Sequence, residues 1–194
     1  MSLLPLQGVV LAGGRSSRMG RDKARISLGG RTLVERALAN LAQVCQHCVI
    51  AGGDPALAAY GRVLPDQQPG LGPLAGILVA LQASPLPWNL VLAVDMPQVP
   101  VALLQQLAQQ ALRSSAIAVV ARVGGAVQPL CAAYRTEARA GLQQGIEAGE
   151  RRVIAAAQQA GPVEYLDLPS QSAEWFLNLN TPEDLDALPE PERE

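Results

Sequence analysis

Apolar positions along the chain follow two spacings, one typical of buried strands and one typical of amphipathic helices. Short apolar runs, several of them closed by glycine or aspartate, predict strands over residues 6–14, 46–53, 62–66, 89–97, 116–122, 128–134 and 163–168. Residues 26–30 add a short edge strand and a turn to this prediction.

Between these runs, apolar residues recur every three or four positions. This spacing predicts helices over residues 31–44, 73–84, 100–114, 136–149, 151–161 and 181–188. Thr32 is followed three positions later by Glu35, which is the spacing of a capping box at the start of the first helix. Pro73 suits the first turn of the second helix.

The alternation of strands and helices predicts a single-domain, Rossmann-like three-layer α/β/α fold with a mostly parallel sheet. In such sheets, ligands bind beyond the carboxyl ends of the strands. The first four predicted strands end at residues 11–14, residues 51–53, Asp66 and Asp95. We therefore expect these four ends to line one crevice that contains the functional site.

The composition suits one domain over residues 1–188, followed by a disordered acidic tail over residues 189–194. Apolar residues make up 49% of the 194 residues, which is enough for a full core. Because aromatic residues make up only 3%, we expect that core to consist of leucine, valine, isoleucine and alanine.

Charge is unevenly distributed along the chain, although the formal net charge is only -2. Residues 1–62 carry eight basic side chains against three acidic ones, whereas residues 163–194 carry nine acidic side chains against one arginine. A basic front half in an acidic protein favours a small anionic ligand over a nucleic-acid duplex, which usually binds a broadly basic domain. We therefore expect no nucleic-acid partner.

The chain shows no targeting or membrane signal. Its first residues lack the charged start and the apolar length of a signal peptide, and no apolar stretch approaches the ~20 residues that span a membrane. Three cysteines, an odd number, argue against a disulfide framework. We expect a cytoplasmic protein with no membrane partner.

The segment LAGGRSSRMGRDKA at residues 11–24 concentrates glycines, arginines and the chain's one lysine, Lys23, behind the first strand. It lacks the Gly-Lys-Ser/Thr of a Walker A loop, and the adjacent Gly13 and Gly14 do not fit the dinucleotide fingerprint. Its chemistry is nevertheless that of a phosphate cradle. The glycines let backbone N–H groups approach a polyanion, while Arg18 and Lys23 supply positive charge. The alternative is a solvated loop without a ligand.

Two aspartates end predicted strands at the expected crevice. Asp95 closes the most apolar strand, where a hard carboxylate suits Mg²⁺, although an aspartate there could instead cap the next helix. Asp66 precedes a glycine-rich turn, where its carboxylate could accept hydrogen bonds from guanine or from a ribose hydroxyl. The alternative for Asp66 is an ordinary turn aspartate beside proline.

Four stretches resemble, in order along the chain, the molybdenum cofactor guanylyltransferases, which belong to the enzymes that transfer a nucleotide from an NTP to a phosphate. These stretches are residues 11–24, 65–77 (PDQQPGLGPLAGI), 93–97 (AVDMP) and 176–185 (FLNLNTPEDL). The resemblance implies transfer of GMP from GTP to the terminal phosphate of molybdenum-molybdopterin, with release of pyrophosphate. It also implies transient contacts with proteins that deliver and accept the cofactor.

The resemblance also implies roles for individual residues. It places the nucleotide against Leu11, Ala12, Gly13, Gly14, Lys23, Asp66 and Asp95, with Mg²⁺ on Asp95. It assigns catalysis to Lys23, Arg18 and Asp95. It assigns acceptor binding to Arg152 with its neighbour Arg151, and to Asn178 and Asn180. In a strand, these two asparagines would share one face.

One departure from the family's pattern leaves alternatives open. AGGD at residues 51–54 stands where the family often has an asparagine that binds the nucleotide, so we expect backbone groups of Gly52 and Gly53 to take its place. The chain could instead be a cytidylyltransferase for the same cofactor or a sugar-phosphate nucleotidyltransferase, although the double glycine at 13–14 favours the guanylyl branch. A non-catalytic nucleotide-binding module is a further alternative, and the joint presence of Lys23 and Asp95 argues against it.

Cys45 and Cys48 have C-x-x-C spacing around the one histidine of the chain, His47. Only Cys131 remains to complete a zinc site, and a redox motif of this kind should open a helix, whereas this one runs into a predicted strand. We interpret these residues as ordinary core and surface positions. The scarcity of histidine agrees with a phosphate nucleophile, which is already ionised and needs no general base.

Overall fold

The computed structural model describes residues 2–13, 23–66 and 71–179. In these residues the strands are β1 (Leu4–Leu11), β2 (Ser27–Leu28), β3 (Arg31–Thr32), β4 (Cys45–Ala51), β5 (Val63–Leu64), β6 (Trp88–Ala93), β7 (Ala118–Val123), β8 (Ala126–Arg135) and β9 (Val163–Leu168). The α-helices are α1 (Leu33–Ala42), α2 (Pro73–Ala83), α3 (Val101–Arg113), α4 (Arg139–Glu147) and α5 (Val153–Gln158). Short 3-10 helices span Lys23–Arg25, Pro55–Ala59, Thr136–Ala138 and Ser170–Phe176.

The main sheet of the described chain has seven strands in the order β5-β4-β1-β6-β8-β7-β9. Neighbouring strands pair in parallel except β8, which runs antiparallel to both β6 and β7. The predicted mostly parallel sheet is therefore confirmed. β1 is an unbroken buried run from residue 6 onward because it pairs with β4 on one side and β6 on the other, under helices on both faces.

Helices cover both faces of the sheet and complete the predicted three layers. Helices α1 and α3 pack on one face, and α2, α4 and α5 pack on the other. Helix α2 is buried along residues 74–81 because it lies between the sheet and α4. Among the described helices, none combines the length and the apolar character needed to cross a membrane.

The predicted edge strand at residues 26–30 is wrong in one respect. Ser27–Leu28 does not join the main sheet and pairs instead with Arg31–Thr32 as a separate two-stranded hairpin. Gly29 and Gly30 form its turn with φ values of 57° and 79°, a region that glycine adopts without strain. The first helix consequently begins at Leu33, two residues later than predicted.

The strand predicted over residues 89–97 ends at Ala93, because the chain then turns out of the sheet, and the 3-10 helix Pro55–Ala59 was not predicted. Further differences lie in the last third of the chain. The helices predicted over residues 136–149 and 151–161 shorten to α4 and α5, because Thr136–Ala138 forms a 3-10 turn and Gly149, at φ 79°, follows the end of α4. The 3-10 helix Ser170–Phe176 was not predicted, since its polar and apolar residues show no clear period. The helix predicted over 181–188 and the tail over 189–194 lie outside the described residues.

The capping box at the start of α1 is confirmed. The Thr32 hydroxyl accepts a hydrogen bond from the Glu35 N–H at 3.4 Å, and the Glu35 carboxylate accepts one from the Thr32 N–H at 2.7 Å. We expect Thr32→Ala to lower the free energy of unfolding by about 1 kcal/mol, because it leaves the Glu35 N–H without its side-chain acceptor. Urea denaturation measures this loss. Thr32→Ser keeps the hydroxyl and is the control; an equal loss in both variants would contradict the capping role.

Candidate active site

The predicted crevice corresponds to the edge of the sheet where β1, β4, β5 and β6 all end. Backbone hydrogen bonds extend the pairing by one residue past the strand ends: the Ala12 N–H donates to the Ala51 carbonyl at 3.1 Å, and the Val94 N–H to the Leu11 carbonyl at 3.0 Å. Leu11 and Ala12 are both buried, so they contribute backbone rather than side chains to this edge. The edge therefore has a fixed backbone framework.

Glycines allow the ends of β1 and β4 to approach each other closely. A Cβ atom on Gly52 would lie 3.0 Å from the Cα of Gly13, and Gly52 also has a φ of 73°. A Cβ on Gly13 would lie 3.5 Å from the Cα of Gly52, which is an ordinary contact. Position 52 therefore requires glycine for the fold itself, whereas position 13 does not. Gly13 is exposed, and its backbone is accessible from solvent.

Gly52 was expected, together with Gly53, to offer backbone groups to a nucleotide, and one of these groups, the Gly52 N–H, is already bonded within the sheet. Its N–H donates to the Leu64 carbonyl at 3.0 Å and thereby joins β4 to the end of β5. Gly53 has a φ of 82°, and a Cβ there would lie 2.8 Å from a methyl carbon of Leu57. A larger residue would therefore be strained at both positions, mainly because of the positive φ values.

Lys23 and Asp95 come together beyond the end of β6. Lys23 opens the 3-10 helix Lys23–Arg25, which is held in place by the fully buried Ala24 and by a hydrogen bond from the Ile26 N–H to the Lys23 carbonyl at 3.0 Å. The Nζ atom of Lys23 lies 3.8 Å from Oδ2 of Asp95, and the two side chains are 20% and 25% exposed. These residues are 72 positions apart, so the fold alone creates the pair.

Asp95 occupies a turn that leaves the sheet directly after β6. Burial raises the pKa of its carboxyl above the ordinary value, and the nearby Lys23 ammonium lowers it in part. A carboxylate that is partly withdrawn from water gains more from a nearby cation than an exposed one does. Asp95 therefore suits a cationic partner, either Lys23 or a metal ion.

Asp66 lies at the other end of the same edge. It follows β5 and lines a small cavity of about 90 Å³ between α2 and α4, together with Gln82 and Gln143. Since β5 and β6 are three strands apart in the sheet, their ends are separated by roughly 14 Å, from a strand spacing of about 4.8 Å. Asp66 and Asp95 therefore follow strand ends that are well separated along the edge.

Arg152, assigned to the acceptor by resemblance, is paired within the chain. Its Nε and Nη2 atoms donate to the two carboxylate oxygens of Glu150 at 3.1 and 2.8 Å. The same carboxylate accepts the N–H groups of Arg151 and Arg152, and these bonds, with the Arg152 side chain first, lower the pKa of Glu150 to about 2. Glu150 was not singled out in the sequence, although its place directly before two arginines is a signal for such a pair.

Residues 176–179, here called the 176–179 segment, pass beside Asp95. The Leu179 N–H donates to the Asp95 carbonyl at 3.0 Å, while Asn178 in the same segment is exposed. Residues 177–179 are irregular, so the shared strand face considered for Asn178 and Asn180 does not apply to Asn178. The segment nevertheless brings Asn178 to the turn that carries Asp95. Leu179 could not be identified from the sequence, because a hydrogen bond from a backbone N–H does not depend on the type of residue.

Three of the predicted site residues, Gly14, Arg18 and Asn180, lie outside the described residues. Among the side chains that the structure does place, no three from histidine, cysteine, aspartate and glutamate converge to hold a metal ion. Cys45 is buried, Cys48 is half-buried and His47 is exposed, in agreement with their interpretation as ordinary positions on β4. Burial raises the pKa of the Cys48 thiol to about 11, so it is unreactive near neutral pH.

The open sheet, with glycines at one strand end and a lysine–aspartate pair at the next, is the arrangement of an α/β protein that binds its ligand at the carboxyl edge. A family model described as the MobA-like NTP transferase domain matches residues 8–162. The chain belongs to this family and is a nucleotidyltransferase.

Individual relatives match over nearly the whole chain. A protein of Chloroflexus aggregans named "Probable molybdenum cofactor guanylyltransferase" is 40% identical over 193 residues, which cover 93% of this chain and 91% of that protein. One of the same name from Opitutus terrae is 38% identical and covers 93% of each chain. The crystal structure of molybdopterin-guanine dinucleotide biosynthesis protein A from Archaeoglobus fulgidus superposes with a TM-score of 0.77 at 26% identity, over 93% of this chain and 95% of that one.

Proposed function

We propose that this nucleotidyltransferase transfers GMP from GTP to the terminal phosphate of molybdenum-molybdopterin. An oxygen of the acceptor phosphate forms a bond to the α-phosphorus of GTP, and the bond between the α-phosphorus and the bridging oxygen breaks. The products are the molybdopterin guanine dinucleotide cofactor and pyrophosphate. The observation that carries this proposal is the Lys23–Asp95 pair at the glycine-lined edge, in a chain 40% identical to a relative of that name.

Mg²⁺ fits the chemistry of Asp95. This ion usually takes one or two carboxylates and completes its coordination with waters and substrate phosphates, so one partly exposed carboxylate at the crevice is sufficient. When bound, Mg²⁺ supplies positive charge to the phosphate oxygens of the nucleotide. We propose that Asp95 is its protein ligand.

Lys23 has two successive partners in this proposal. Without nucleotide, its ammonium offsets the charge of the Asp95 carboxylate at 3.8 Å. With nucleotide, the triphosphate brings several negative charges to the same place, and Lys23 then donates hydrogen bonds to phosphate oxygens as charge develops on the pyrophosphate. We propose that Arg18 contributes in the same way.

The reaction does not require a general base, because a phosphate monoester is already ionised near neutral pH. His47 could not act as one: it lies four residues before the end of β4, roughly 13 Å along the strand from the crevice at about 3.3 Å per residue. Alignment of the two substrates and neutralisation of charge therefore account for catalysis.

The positions of the remaining residues support an extended nucleotide along the edge. We propose that the phosphates lie at the backbone of Leu11, Ala12, Gly13 and Gly14 and at Lys23, and that the guanosine end lies toward Asp66. The acceptor approaches the Asp95 turn, which Asn178 adjoins. We assign Arg152 and Asn180 to the acceptor as well, with Glu150 holding the Arg152 guanidinium in one orientation.

Replacement of Gly13 by alanine should weaken nucleotide binding without affecting folding. Gly13→Ala adds a methyl group that the protein accommodates, so we expect an unchanged thermal midpoint and a loss of GTP affinity on the order of 10²-fold, since the methyl displaces the phosphates. Gly52→Ala, at a φ of 73°, is the control and should lower the thermal midpoint. Unchanged GTP affinity in Gly13→Ala would contradict a close phosphate approach at this residue.

Calorimetric titration tests the choice of nucleotide. GTP, CTP and ATP are each added to the protein with MgCl₂ and again with EDTA. The proposal predicts that GTP binds most tightly and that Mg²⁺ strengthens its binding. A preference for CTP would favour the cytidylyltransferase alternative, and equal binding of all three nucleotides would contradict the assignment of guanine recognition.

A further inference from the structure

We propose that Leu179 is a positioning residue for Asp95. Its backbone N–H and its buried side chain hold the turn from which the metal-binding carboxylate projects. This inference rests on the proposed function, because it takes Asp95 as the magnesium ligand. The observation behind it is the hydrogen bond from the Leu179 N–H to the Asp95 carbonyl, which links two segments 84 residues apart.

The Asp95 turn needs support because it has left the sheet. β6 ends at Ala93, after which the Val94 N–H donates to the Leu11 carbonyl at 3.0 Å and the Met96 N–H to the Ala93 carbonyl at 3.2 Å. The first bond ties the turn to β1, and the second closes the turn itself. The Asp95 carbonyl points to the 176–179 segment and accepts the Leu179 N–H at 3.0 Å. The backbone on either side of the carboxylate is thus held by different parts of the chain.

The donor itself is anchored by burial. Leu179 is 2% exposed and Phe176 is 8% exposed, and both belong to the same core cluster as Val94 and Met96, which flank Asp95. The N–H of Leu179 therefore cannot move away from Asp95 unless an apolar side chain leaves the core. Leu177 is 56% exposed and provides no such anchor, although it lies in the same segment.

Because Leu179 holds the turn that carries a metal ligand, its replacement should change metal binding or the reaction rate and not only the stability of the fold. Removal of a group that orients a metal ligand without contacting the metal typically lowers metal affinity or activity by 10–100-fold. Asn178, which we assign to the acceptor, immediately precedes Leu179. The same short segment therefore contacts the acceptor and fixes the carboxylate that serves the nucleotide.

The test compares Leu179→Ala and Leu179→Pro with the matched control Leu177→Ala. The alanine variant removes the anchor and the proline variant removes the N–H donor. Calorimetry measures GTP affinity in MgCl₂ and in EDTA. We expect the strengthening of GTP binding by Mg²⁺ to fall about tenfold in both Leu179 variants. GTP affinity in EDTA should stay unchanged, and Leu177→Ala should match wild type. Leu179→Met keeps the donor and most of the volume and should restore the effect.

A purely structural role for Leu179 would give a different result. The thermal midpoint would fall while the effect of Mg²⁺ on GTP binding by the folded protein stayed at the wild-type value, which would overturn the inference. Should the variants not fold, hydrogen exchange in the wild-type protein provides the test. MgCl₂ with GTP should slow exchange of the Leu179 amide more than that of Leu177, and equal exchange with and without these ligands would overturn the inference. If the wild type bound no GTP under either condition, the proposed function would fail as well.

Discussion

Replacement of Asp95 by asparagine is expected to lower the rate of nucleotide transfer on the order of 10³-fold. Asparagine keeps the shape of the side chain and removes the charge that would hold Mg²⁺ and orient Lys23. The rate is measured as pyrophosphate release at saturating GTP over a range of MgCl₂ concentrations. Because the fold does not depend on this charge, we expect the variant to remain folded.

Asp54→Asn is the matched control for this experiment. Asp54 also follows a parallel strand at the same edge, but its carboxylate accepts a hydrogen bond from the Ala56 N–H at 2.8 Å and caps the 3-10 helix Pro55–Ala59. We expect this variant to retain the wild-type rate. If both variants lost activity equally, the loss would reflect the general charge of the edge rather than a specific role of Asp95.

The same Asp95 variant should also be more stable than wild type near neutral pH. Burial raises the pKa of the Asp95 carboxyl above its ordinary value of 3.8, so the folded state favours the protonated form. The ionised carboxylate therefore lowers stability above its folded pKa, and this penalty disappears as the pH falls toward the ordinary value. Thermal midpoints of Asp95→Asn and wild type should differ near pH 7 and converge near pH 4. A lower midpoint for the variant at neutral pH would contradict this account.

Replacement of Lys23 by alanine is expected to lower the rate of transfer by about 10²–10³-fold, the effect of losing one charge donor to the transition state. Lys23→Arg should not restore the rate, because a planar guanidinium is larger than an ammonium and presents its charge in a different geometry. The measurement is again pyrophosphate release, with GTP affinity determined separately.

Arg25→Ala controls for the loss of positive charge near the crevice. Arg25 lies two residues from Lys23 in the same 3-10 helix and is exposed. We expect its removal to change the rate little. An unchanged rate in Lys23→Ala would remove this residue from the mechanism, and an equal loss in both variants would indicate a general electrostatic effect.

Most of the fold was predictable from the sequence because its elements carry strong local signals. β1 and β6 are mainly apolar and α1 has a capping box, so both kinds of element can be identified from the local sequence. The pairing of Ser27–Leu28 with Arg31–Thr32 was not predicted, because a two-residue strand carries no information about which strand it joins. The 3-10 helix Ser170–Phe176 was missed because it is held by tertiary packing.

The residues of the candidate site that directly follow strand ends could be predicted from the sequence. Asp95 and the glycines at 13, 52 and 53 are placed by the fold class alone, since parallel strands end at one edge. The 3.8 Å approach of Lys23 to Asp95 and the bond from Leu179 to the Asp95 carbonyl depend on how distant segments pack. The pairing of Arg152 with Glu150 is local, yet it depends on a turn geometry that residue types do not specify.

Release of pyrophosphate with and without the acceptor tests most directly whether this protein is a guanylyltransferase. The protein is incubated with MgCl₂ and GTP, with CTP in parallel, in the presence and absence of molybdenum-molybdopterin. We expect release from GTP that depends on the acceptor and reaches one pyrophosphate for each molecule of guanine dinucleotide cofactor formed. Release from CTP in preference to GTP, or release that is the same without the acceptor, would contradict this assignment.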